Sequence, residues 1–153
     1  MADFSDLLTT PAAVAAGVDA SLRKPLVALA GGVVAAAHGL DNATVCAALA
    51  ARERLGSTGF GHGVAIPHAK LAGLDRPLGG FVRLNAPVAF DAVDGLPVDL
   101  AFVLLSPVAG GSVHLKTLAR VSRALRDQAF LAKLRGAGSA DALYALLASG
   151  DGS

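Results

Sequence analysis

Apolar residues first recur at helical spacing along residues 26–37, where Leu26, Leu29, Val33 and Ala37 share one face. Ser21 is placed to cap that helix and Gly39 to stop it. Asp41 and Asn42 then supply caps for a second helix, running through Val45, Ala48, Leu49 and Arg52 to about Leu55, with Gly56 ending it. After a glycine-rich loop the period changes. Val64-Ala65-Ile66 reads as a brief strand stopped by Pro67, which has no amide proton for a central ladder, and His68 lies just beyond it. Residues 79–84 and 88–90 read as strands joined by turn chemistry at Asn85-Ala86-Pro87, with a further turn at Asp94-Gly95. Leu100-Ala101-Phe102-Val103-Leu104-Leu105 is apolar without interruption, the pattern of a central strand covered on both faces. Ser106-Pro107 ends that strand and Gly110-Gly111 bends the loop. Ser112 can cap a helix holding Leu115, Leu118, Ser122 and Leu125, with His114 in its first turn. Shorter helices over 129–135 and 140–148 complete the chain.

This alternation predicts an α/β fold, a single-domain sandwich whose mixed parallel/antiparallel central sheet carries helices on both faces. The domain should span residues 1–149, with 150–153 a flexible tail. A length of 153 residues suits one domain with a real core. The formal charge of +1 and an aromatic content of 5% give neither a phosphate-backbone footprint nor a base-stacking surface, so nucleic acid is not expected as a partner. The single cysteine, Cys46, closes no intrachain disulfide and reads as a buried, inert thiol. The first residues lack the pattern of a secretory signal. The apolar run over 26–37 is too short for a membrane helix and is interrupted by Gly31-Gly32. A cytoplasmic protein without membrane insertion is the expectation.

Two histidines, His68 and His114, each follow the carboxyl end of a predicted strand, the edge where α/β folds place their sites. If the strands are neighbours, the imidazoles meet in a shallow cleft, and the open amides of the His114 helix favour an anion there. A neutral imidazole is nucleophilic near pH 7 and can carry a covalent phosphoryl group without a metal.

The run Arg52-Glu53-Arg54-Leu55-Gly56-Ser57-Thr58-Gly59-Phe60-Gly61-His62-Gly63-Val64-Ala65-Ile66-Pro67-His68-Ala69-Lys70-Leu71 resembles the active-site signature of enzyme IIA domains. These belong to the phosphoenolpyruvate-dependent phosphotransferase system, in its fructose/mannitol class. The Gly-Ser-Thr-Gly run, the Pro-Val-Asp-Leu segment at 97–100 and the single-domain length are most similar to the nitrogen-regulatory branch. The resemblance implies that His68 accepts a phosphoryl group from the histidine phosphocarrier protein, that His114 is its supporting neighbour and that Arg52 balances charge. Ser57 and Thr58, lying between Arg52 and His68, can donate hydroxyls to phosphoryl oxygens or serve only as turn caps. His62 and Ala69 stand where such relatives usually carry asparagine and glycine, and His62 is a candidate modulator of protonation or metal affinity. No cofactor is implied. Downstream, regulatory targets or an enzyme IIB would receive the signal or the group, and sequence alone leaves a sugar-specific transport subunit as the alternative.

Other features have plainer readings. His38 reads as a surface or capping histidine at a helix end. The glycine-rich loop follows a helix and precedes a strand, the reverse of a nucleotide-binding context. Lys116, Arg120, Arg123 and Arg126 read as a solvated face, otherwise as a docking stripe for an acidic partner. Asp91, Asp94 and Asp99 suit turn formation better than a carboxylate site. A distant alternative is a metal-dependent hydrolase using His62, His68 and His114, although no recognised zinc spacing supports it.

Overall fold

A computed structural model describes residues 3–149; the predicted tail at 150–153 lies outside the described residues. The chain opens with a short helix α1 (Ser5–Leu8), a 3-10 turn (Pro11–Ala13) and strand β1 (Val14–Val18), none of which the hydrophobic pattern had marked. Helices α2 (Arg23–His38) and α3 (Asn42–Leu55) follow, then strands β2 (Gly59–Gly61), β3 (Val64–Ala65), β4 (His68–Leu71), β5 (Leu78–Val88) and β6 (Val98–Pro107). Helices α4 (Val113–Ala124), α5 (Gln128–Gly136) and α6 (Ala140–Ser149) end the described chain.

The sheet runs β1-β5-β6-β3-β2, with β4 also paired to β6. β1 lies parallel to β5, β5 antiparallel to β6, and both β3 and β4 parallel to β6. The α/β sandwich with a mixed sheet is therefore the observed class. β6 is central, and its alternation feeds two cores. Leu100, Phe102 and Leu104 pack with α1, α5 and α6, while Val103 and Leu105 pack with α2 and α3. Each such large side chain taken fully out of water contributes about 1.5–3 kcal/mol. Close approach of α2 to the sheet depends on Gly80, where an added Cβ would lie 3.2 Å from both the Ala13 carbonyl oxygen and Val34 Cβ.

Helix ends follow local chemistry only in part. Asp41 caps α3, its carboxylate accepting from the Thr44 amide at 3.0 Å, as expected. α2, by contrast, begins after Leu22 with no side-chain cap, so Ser21 does not serve, and its buried face is Leu26, Val27, Ala30, Val34 and Ala35 rather than the stripe through Leu29, Val33 and Ala37. Gly39 does stop it in the left-handed conformation, at φ 66°. Ser112 precedes α4, but its hydroxyl makes no cap bond. His38 is half-buried rather than superficial: its Nε2 lies 2.9 Å from the Gly79 carbonyl oxygen on β5 and donates to it, since a carbonyl only accepts.

Two strand assignments change. Asn85-Ala86-Pro87 is no hairpin turn but a bulge within β5: the step from Arg83 to Val88 faces only the step from Leu100 to Val98 on β6. The Asn85 side chain leaves the ladder to donate to the Gly17 carbonyl at 2.9 Å and to Asp19 at 3.0 Å, fastening β5 to the end of β1. β6 continues through Ser106-Pro107 rather than ending before them.

The Asp residues of the turn region are structural, as expected. Asp94 accepts from the amides of His62 and Leu96, and Asp99 forms an ion pair with Arg135 at 2.8 Å. Of the cationic stripe on α4, Arg120 pairs with Asp6 at 2.9 Å and lies over the Phe4 ring.

Candidate active site

His68 does not lie beyond a strand; it begins one. β3 and β4 pair with β6 in one unbroken register, Val64 and Ala65 opposite Leu100 and Ala101, then His68 opposite Leu104. Between them Pro67 cannot donate, yet its carbonyl still accepts from the Leu104 amide at 2.9 Å. The two pieces thus form a single interrupted strand, and the Ile66 carbonyl, whose residue bonds Thr58 rather than β6, meets the His68 ring. His68 Nδ1 lies 2.6 Å from that oxygen. A carbonyl only accepts, so Nδ1 holds the ring proton and Nε2 carries the open lone pair.

His114 enters from the first turn of α4, beyond the end of β6, and its ring centroid is 5.6 Å from that of His68 with a 38° tilt between planes. Both rings line an open cleft of about 430 Å³ with Arg52, Lys70, Ala69, Ala48, Ala51 and Leu55. The sequence-based pairing of His68, His114 and Arg52 is therefore what the fold assembles. Burial is the main cause holding the His68 pKa below the ordinary imidazole value; the Ile66 hydrogen bond opposes it, Arg52 reinforces it and Glu53 opposes it. The His114 pKa is also lowered, first by burial and then by the charges of His68 and Lys70. Both rings are thereby biased toward the neutral form.

The remaining candidates lie elsewhere. Ser57 donates its hydroxyl to the Phe90 carbonyl and accepts from the Gly59 amide at 3.1 Å. Thr58 is buried and donates its hydroxyl to Glu53. Each has one hydroxyl proton, and in this arrangement that proton is already committed to an acceptor away from the cleft. His62 is exposed on the turn between β2 and β3, at φ 58°, with its amide on Asp94 and its carbonyl accepting from Arg135 at 2.6 Å. It does not line the cleft. Among the described residues no group of three His, Cys, Asp or Glu side chains could hold a metal ion, so the His62/His68/His114 hydrolase reading has no site.

Sequence reasoning passed over three residues that build this site. Glu53, only 9% exposed, takes a fork from Arg23 on α2, with Nε at 3.0 Å and Nη2 at 2.6 Å, while the same Nη2 reaches the Glu53 carbonyl at 2.8 Å. Glu53 then anchors Thr58, so a buried charge pair fixes the loop between Arg52 and His68. Ser106, fully buried on β6, has its Oγ 2.7 Å from His114 Nδ1. In a strand otherwise apolar from Leu100, that hydroxyl was the one available signal.

The profile of the phosphoenolpyruvate-dependent sugar phosphotransferase system EIIA 2 family matches residues 8–150. A nitrogen regulatory protein of Bradyrhizobium diazoefficiens is 42% identical over 141 residues, covering 92% of either chain. Another, from Pseudomonas aeruginosa, is 48% identical over 107 residues, 70% of each. The crystal structure of the nitrogen regulatory protein IIA-Ntr from Neisseria meningitidis superposes with a TM-score of 0.85 at 35% identity, over 94% of this chain and 98% of that one. Fold, motif and relatives converge: the chain belongs to the EIIA type 2 family of the phosphoenolpyruvate-dependent phosphotransferase system.

Proposed function

We propose that the protein is a phosphocarrier in which His68 Nε2 accepts a phosphoryl group from a phosphohistidine of the histidine phosphocarrier protein, and that it acts mainly in regulation. The observation that carries this reading is the pinned ring: the Ile66 carbonyl holds the proton on Nδ1 and leaves Nε2 nucleophilic, in a cleft shared with His114 and Arg52. In the transfer the Nε2–P bond forms as the donor's N–P bond breaks. The donor, protonated on its other ring nitrogen, departs as a neutral imidazole, and the His68 product, an imidazolium, keeps its Nδ1 proton on Ile66. Protein groups need only position the partners and offset charge. Arg52 and the N-terminal end of α4, where His114 sits, supply positive potential, while Ser57, Thr58 and Glu53 hold the loop in shape. The carried group brings about −1.5 to −2 charge, part of it offset by the protonated ring, enough to change which partners are electrostatically complementary.

The names of the two relatives support the regulatory branch over a sugar-specific subunit that hands the group to an enzyme IIB. A cytoplasmic location belongs to the same proposal; among the described residues no helix is long and apolar enough to cross a membrane. The test is incubation with phosphoenolpyruvate, enzyme I and the histidine phosphocarrier protein, followed by intact mass. One phosphoryl adduct is expected, and His68→Ala should abolish it. An adduct that survives in a folded His68→Ala variant places the acceptor elsewhere. Pull-downs with the two forms should recover different partners, and equal recovery by both would remove the regulatory role.

A further inference from the structure

The two imidazoles of the cleft are held by different kinds of group. His68 Nδ1 meets a carbonyl, which can only accept. His114 Nδ1 meets the Ser106 hydroxyl, which can do either, at 2.7 Å in the interior. The protonation of His114 therefore depends on where the serine proton goes. Ser106 is fully buried on β6, opposite Lys70 of β4, and among the described residues no other acceptor hydrogen-bonds its Oγ. If His114 donated through Nδ1, the serine proton would be left unpaired away from water, an arrangement folded proteins avoid. The satisfied alternative has Ser106 donating to Nδ1, with the ring proton on Nε2.

We propose that Ser106 is a positioning residue that fixes His114 as the Nε2–H tautomer, so that this ring presents a hydrogen-bond donor to the group carried by His68. The inference rests on the phosphoryl-acceptor reading for its purpose, though not for the tautomer itself. The neighbouring rings are thereby set in opposite senses: His68 offers a lone pair at Nε2 and His114 offers a proton. A donor aimed at phosphoryl oxygens stabilises the charge that the transfer brings, whereas the other tautomer would turn a lone pair toward those oxygens. The same device decides which histidine is modified, because His114 Nε2, with its lone pair delocalised into the ring, is not a nucleophile. Burial of the His114 ring, which disfavours the cation, keeps this a choice between neutral tautomers.

The decisive measurement is a long-range proton–nitrogen correlation spectrum of the 15N-histidine-labelled full chain near pH 8. His114 is expected to show a pyrrole-type Nε2 and a pyridine-type Nδ1, the reverse of His68. In Ser106→Ala the His114 pattern should shift toward a mixture, and Ser106→Thr, which keeps the hydroxyl, should restore it. Phosphoryl uptake at His68 should slow by roughly tenfold to a hundredfold in Ser106→Ala and recover in Ser106→Thr. A wild-type His114 protonated on Nδ1, or a folded Ser106→Ala whose His114 pattern is unchanged, overturns the proposal. Should Ser106→Ala fail to fold, the wild-type spectrum alone decides. Absence of any phosphoryl adduct on wild-type protein, with His114 nevertheless protonated on Nε2, defeats the phosphoryl reading and leaves the tautomer assignment standing.

Discussion

The ring of His68 donates to the carbonyl of Ile66, two residues back across Pro67, at 2.6 Å. Pro67, between the two, interrupts a strand that otherwise keeps register with β6 on both sides. That carbonyl orients the imidazole and assigns its tautomer at once.

Acidification should weaken the protein through this cleft. Both imidazoles have pKa values below the ordinary imidazole value of about 6.5, so between that pH and the folded-state pKa values the unfolded chain binds more protons. The stabilisation is complete above about pH 6.5 and is lost as pH falls through the folded values. Urea midpoints followed against pH should drop across this window, and a His68→Gln/His114→Gln variant should show a shallower drop. An equal slope in the variant would place the pH sensitivity in other groups.

Phosphoryl uptake should also persist at lower pH than a free imidazole allows, because burial disfavours protonation of His68 Nε2. The midpoint of the fall in initial rate, measured with a fixed amount of phosphorylated donor, should lie below about pH 6.5. A rate that halves at or above that pH argues for an exposed, unperturbed ring.

Replacing Arg52 by Gln should slow uptake by roughly 10²-fold, the usual scale for one lost charge-stabilising donor. Its one hydrogen bond among the described residues is to the Gly56 carbonyl at the end of α3, so the melting temperature should move little. His114→Ala should likewise slow uptake while the adduct still forms on His68. Complete loss of the adduct in a folded His114→Ala protein would make His114 an obligate participant rather than a support.

Glu53→Ala removes the buried member of a half-buried pair, leaving the Arg23 fork and the Thr58 hydroxyl without their shared carboxylate. A destabilisation of about 2–3 kcal/mol is expected from urea unfolding. A loss below ~0.5 kcal/mol would show that solvent replaces the carboxylate at no cost.

Gly63 turns the chain between β2 and β3 at φ 81°, and a Cβ there would collide with the Arg135 guanidinium and lie 2.9 Å from Asp99. Gly63→Ala should therefore cost about 2 kcal/mol, from left-handed strain and a displaced ion pair together. Arg135→Ala should relieve the steric part, so the double variant should lose less than the sum of the two single losses.

Much of the architecture was readable along the chain where the signal is local. Asp41 and Gly56 bracket α3, and the unbroken apolar run from Leu100 to Leu105 identifies the central strand. Elements set by distant contacts were not. Asn85 and Pro87 carry turn chemistry, yet Asn85 is used to tie β5 to Gly17 and Asp19, more than sixty residues away. β1, built largely of Ala, Val and Gly, has too little contrast between faces to announce itself. At the site the long motif led to His68 and Arg52, and the predicted strand ends led to His114. The partners that set their behaviour, Ser106 and the Arg23–Glu53 pair, became visible only once residues eight and thirty positions apart were brought together. Ser57 and Thr58 show the converse, since hydroxyls in the right stretch of sequence face the protein instead of the cleft.

With one ring nitrogen of His68 occupied by the backbone, a single atom is left for exchange. On the proposed reading, donor and recipient would visit in turn, so the molecule would behave as a turnstile: it could not bridge two partners at His68, and whichever one lingered there would set the pace of traffic for all the others.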